Sequence, residues 1–133
     1  MRHEKPVGLD RQTMVSEYLE AADEDIAFIE VARSSKLDGH HNICMLAARA
    51  SEKILKAKLI SMGIDPAWTH NQVELVMQMG KIPDSDRALE IASEFSAYAV
   101  NANYPSNVRR MITADHAEEA YHMLMEIVAM FHP

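Results

Sequence analysis

Ile43-Cys-Met-Leu-Ala-Ala-Arg49-Ala-Ser-Glu52-Lys53-Ile-Leu-Lys56-Ala-Lys58-Leu-Ile-Ser-Met-Gly63 runs directly into Ile64-Asp-Pro-Ala-Trp68-Thr-His70. Ile43, Ala47, Ala50, Ile54 and Ala57 recur every three or four residues, the period of one helix face. Their small side chains suit close packing against another helix. Arg49, Lys53 and Lys56 form a second row on the same helix. Gly63 is placed to close it as a left-handed C-terminal residue. The spacing predicts a helix from about His40 to Met62 that combines a packing face with a positive stripe.

The rest of the chain reads the same way. Val15, Leu19, Ala22, Ile26 and Ile29 predict a helix from about Asp10 to Arg33, broken by the Ser34–Gly39 stretch. Thr69-His-Asn-Gln72 has the form of a capping box and opens a short helix to about Met79. Gly80-Lys-Ile-Pro83-Asp84 makes the next turn, with Asp84 or Ser85 as the cap of a fourth helix. That helix buries Ala88, Ile91, Ala92, Phe95, Tyr98 and Ala99 and ends before Pro105. Thr113 caps a fifth, with Asp115, Glu118 and Glu119 near its positive end and Ala117, Tyr121, Leu124, Val128 and Phe131 as its buried row. Period-two alternation is absent. The fold class expected is all-α, an up-and-down bundle of four long helices and one short one over residues 10–133, after a flexible N-terminus at residues 1–9.

Composition narrows the function. The 133 residues carry a net charge of −7 with histidines neutral, which excludes a protein that coats duplex DNA through bulk positive charge. The distribution is uneven. Asp10 to Arg33 holds seven acids against Arg11 and Arg33, whereas Asn42 to Met62 holds Arg49, Lys53, Lys56 and Lys58 against Glu52. No apolar run approaches the ~20 residues that span a bilayer, so no membrane partner is expected. The single Cys44 and an N-terminus without a signal-peptide core lead us to expect a cytoplasmic protein.

Several segments carry a family resemblance. Tyr18-Leu-Glu-Ala-Ala22-Asp-Glu-Asp25-Ile26, then Ala50-Ser-Glu52-Lys53-Ile-Leu-Lys56-Ala57, then the Gly63, Pro66, Thr69-His70 turn, then Tyr98 and Tyr104-Pro105 occur in order. Together they resemble the HEPN domains, small helical bundles, over about Tyr18 to Phe131. Two positions depart from the pattern: Asn103 stands where arginine is usual, and Arg49 where glutamine is common. The resemblance implies nucleotide or RNA handling and a homodimer. It also implies a toxin-like role beside a nucleotidyltransferase-type partner protein, and, in catalytic members, metal-independent RNA cleavage. Their signature is an arginine, a gap of four to six residues, and a histidine.

Arg110 and His116, with five residues between them, match that signature, and Arg109 matches it with six. The histidine would act as acid or base on the ribose 2′-hydroxyl or leaving oxygen, and the arginine would stabilise the phosphorane-like transition state. A cap at Thr113, however, separates Arg110 from the helix that holds His116. Arg49, Lys53 and Lys56 are phosphate-binding candidates, the alternative being ion pairs to the acidic first helix. His70 and Tyr104 are candidates for the same ligand, the alternatives being a loop-closing histidine and a tyrosine that covers the core. Trp68 could stack on a base or cover the bundle end. Glu119-x-x-His122 has di-iron spacing but occurs once where two copies are needed, so neither a metal nor another cofactor is expected. The sequence leaves three readings: a nucleotide- or RNA-binding bundle, an endoribonuclease using Arg110 and His116, and a non-catalytic dimeric interaction module.

Overall fold

The computed structural model describes residues 10–36, 38–101 and 112–133. These form five helices: α1 (Arg11–Ser34), α2 (His40–Ser61), α3 (Gln72–Gln78), α4 (Ser85–Asn101) and α5 (Ala114–Phe131). Among the described residues there is no strand, and no helix is long and apolar enough to cross a membrane.

α2 is the central element, and α1, α3, α4 and α5 all pack on it. That position explains its alanines. Ala47, Ala50 and Ile54 are fully buried, and burial extends around the helix to Cys44, Ser51, Leu55 and Lys56. α5 runs antiparallel to α1, as shown by the pairs Asp23–His132, Glu30–Tyr121 and Arg33–Glu118. Phe95 of α4 and Leu124 and Ile127 of α5 close the core from the other side.

The helix ends follow from local chemistry. Asp10 precedes α1 in extended conformation and accepts a hydrogen bond from the Thr13 amide at 2.7 Å, which holds its carboxyl below the usual range. Gly63 ends α2 at φ +81°, its N–H donating to Ile60 O and that of Ile64 to Leu59 O. A Cβ there would meet only Arg11 Nη1 at 3.6 Å, so the backbone angle, not space, calls for glycine.

Two local readings need correction. Thr69 does not cap α3; Asn71 does, accepting from the Glu74 amide at 3.3 Å. The Thr69 hydroxyl accepts from the Asn71 amide instead, and Gln72 turns inward because Ser51 and the Ala48 carbonyl offer it buried partners. In α1 the buried positions are Met14, Ala22, Asp25 and Ile29, with Leu19 and Ile26 only partly covered. The buried face of α1 thus includes Asp25, which pairs with Lys53 of α2.

Candidate functional site

The positive row of α2 does not meet solvent evenly. Arg49 is exposed, Lys53 is half-buried and Lys56 is 1% exposed. Lys53 Nζ lies 2.6 Å from Asp25 of α1. Lys56 Nζ donates to Glu52 Oε2 at 3.0 Å, one turn back on α2, and sits 5.6 Å from the centre of the Trp68 ring. Glu52 Oε1 meets His70 Nδ1 at 2.8 Å. Glu52 thus joins a buried ammonium to an exposed imidazole and ties the α2–α3 loop to the bundle. The Tyr18 ring lies 6.3 Å from that of Trp68, and burial, with Glu52 adding to it, pushes the Tyr18 phenol up. The Trp68 indole N–H is buried without an acceptor among the described residues, so this side chain contributes its face to the cluster.

His116 has a different setting. Thr113 is the N-cap of α5, and its backbone N–H donates to His116 Nδ1 at 3.0 Å, as the third residue of a capping box does. A nitrogen that accepts an amide proton carries none of its own. We therefore infer from that bond that the neutral ring holds its proton on Nε2. The residue is exposed on the first turn of the helix, where free amides and the dipole favour an anion.

At this end of the bundle Cys44 of α2 meets Tyr98 of α4. Burial pushes the Cys44 thiol up to about 11, against a smaller opposing effect of its hydrogen bond with Tyr98. The Tyr98 phenol is raised to about 12, chiefly by burial, with Cys44, Glu119 and Glu94 adding to it. A thiol so protonated is a packing group rather than a nucleophile.

The structure therefore divides the candidates. Lys56 and His70 come together through Glu52, Lys53 joins α1, and Arg49 makes no ion pair with a described residue. His116 stands apart from them at the start of α5. Arg109, Arg110, Asn103, Tyr104 and Pro105 lie outside the described residues, as do residues 1–9.

A groove of about 690 Å³ opens between α4 and α5, lined by Asp86, Glu90, Glu94, Glu119 and Glu126 with Arg87 and His122. The Arg87 guanidinium is already bonded to Glu126 and Glu90, so the groove repels phosphate. Glu119 and His122 belong to this wall, and among the described residues no group of three His, Cys, Asp or Glu side chains could hold a metal ion.

Sequence reasoning did not pick out Asp25 or Gln72 as buried polar partners. It also missed Glu52 as the hub, although its spacing of four from Lys56 was a visible signal.

The HEPN domain family model matches residues 15–132 of the chain. No curated protein and no solved structure gives a significant match.

Proposed function

The chain belongs to the HEPN domain family, and on that premise we propose that it binds RNA or a nucleotide through phosphate at the start of α5. The observation that carries this reading is the Thr113–His116 bond. It leaves an exposed imidazole whose Nε2–H takes no part in that bond and suits a phosphate oxygen as acceptor. Arg109 and Arg110 precede Thr113 by four and three residues and supply cations to the same ligand. Arg49, the exposed member of the α2 row, is a further phosphate contact in this proposal. Lys53, Lys56 and His70 act mainly by holding α1 and the α2–α3 loop in place, and Tyr104 is a further candidate contact for the same ligand.

The same bond weighs against RNA cleavage with His116 as the base. A base at Nε2 needs the tautomer with its proton on Nδ1, and that form gives up the Thr113 amide and keeps only the Thr113 hydroxyl, 3.0 Å away, as a partner. The homodimer and the nucleotidyltransferase-type partner implied by the resemblance complete the proposal.

The test is binding of a fluorescent single-stranded RNA and of free nucleotides in EDTA, read by anisotropy, beside the variants His116→Glu and Arg110→Ala. Glutamate at position 116 keeps a cap acceptor but presents negative charge to phosphate. A loss of about tenfold or more in affinity, without a change in unfolding, is the expected result. Equal binding by wild type and both variants would remove this end of the bundle from the proposal. Cleavage of the RNA in EDTA by wild type but not His116→Ala would replace binding with endoribonuclease activity.

A further inference from the structure

The face of α1 turned away from α2 carries apolar and acidic side chains that stand exposed. Phe28 is 67% exposed and Val31 is 68% exposed. At helical spacing ahead of them stand Glu17, Glu20 and Glu24, all exposed and on the same row. None of the three glutamates has an ion pair with a described residue. Lys53 and Arg33 are engaged elsewhere: Lys53 with Asp25, and Arg33 with Glu118 and the Tyr121 ring at 3.6 Å. Like charges three and four residues apart oppose one another along a helix, so this row weakens α1 on its own. An aromatic and a valine two-thirds in water are also unfavourable while uncovered.

A single ligand would relieve both. We propose that this face docks an amphipathic helix of another protein, with apolar side chains over Phe28 and Val31 and lysines or arginines opposite Glu17, Glu20 and Glu24. Charge complementarity selects this occupant over a second copy. A parallel α1 pair would set glutamate against glutamate, and an antiparallel pair centred on the apolar residues would leave the glutamates beyond the partner helix end. The row spans about 21 Å of helix axis, so four turns of partner helix cover it.

The probe is a synthetic helical peptide of about twenty residues, with leucines to cover Phe28 and Val31 and lysines at four-residue spacing. Its control replaces the lysines with glutamates. Anisotropy is measured with the wild type, Phe28→Ser and the double variant Glu20→Lys/Glu24→Lys. These positions are exposed, and circular dichroism checks that each variant is folded. The expected result is that the lysine peptide binds the wild type, the control does not, and each variant weakens binding about tenfold or more. Binding should also weaken as salt rises. Absence of binding, or equal binding to wild type and variants, would overturn the proposal. So would a protein that sediments as a dimer and is made monomeric by Phe28→Ser, because the face would then belong to a second copy.

Discussion

His70 and His116 each offer Nδ1 to a hydrogen bond within the chain, yet their surroundings make them opposites. His70 meets the Glu52 carboxylate, which also holds a lysine that is 1% exposed. His116 Nδ1 meets the Thr113 amide and the Thr113 hydroxyl, each at 3.0 Å, on the first turn of α5, and the residue is exposed. At the first place charge is used up in holding the loop to the bundle. At the second, contacts from Thr113 alone hold one ring nitrogen, and the side chain stays exposed. The lesson is that a positive row in a sequence marks a binding surface only where no carboxylate of the fold reaches it first.

This contrast can be broken most sharply at Glu52. Glu52→Ala strands the Lys56 ammonium in the core, and unfolding by urea should show a loss of about 3–5 kcal/mol. Adding Lys56→Met should restore much of that loss, since a methionine needs no counter-charge. If the single substitution is silent, the network is not holding the loop.

Gln72 is the neutral counterpart in the same region. It accepts from the Ser51 hydroxyl at 2.8 Å and donates to the Ala48 carbonyl at 2.8 Å, all within the core. Gln72→Ala should cost about 1–3 kcal/mol by thermal or urea unfolding.

Acid should act gently and on the surface. Hydrogen bonds from Arg33 hold the Glu118 carboxyl below its ordinary value of 4.5, and those from Arg87 do the same for Glu126. A depressed folded value means that these carboxylates contribute stability above about pH 4.5 and lose it as pH falls through the folded values. Both pairs are solvent-screened, so Arg33→Gln should make the decline in stability below that pH only slightly shallower.

The smallest effect on stability should come from His116→Glu. A glutamate at the third helical position accepts the Thr113 amide as the histidine does, and unfolding should shift by no more than about 0.5 kcal/mol. RNA or nucleotide binding should nevertheless fall. A large loss of stability here would make His116 a structural residue like His70.

Much of the architecture is legible in local pattern. The five helices, the Gly63 closure and the Thr113 cap depend on residues within a turn or two of one another, so periodicity and capping chemistry suffice to place them. Which polar residues are functional is not a local question. Arg49, Lys53 and Lys56 are alike as a row in the sequence, but their environments separate when α1 brings Asp25 to Lys53 and the α2–α3 loop covers Lys56. Gln72 changed from a cap to a core residue because Ser51, 21 positions earlier, supplied a buried partner. The Glu52–Lys56 pair and the contact of His116 with Thr113 are set by near neighbours, and Thr113-Ala-Asp-His116 has the form of a capping box with histidine in the usual glutamate position. Helix formation depends on short-range periodicity that the chain order displays. Ion pairing and desolvation depend on which distant segments meet, and that was decided only when the helices packed.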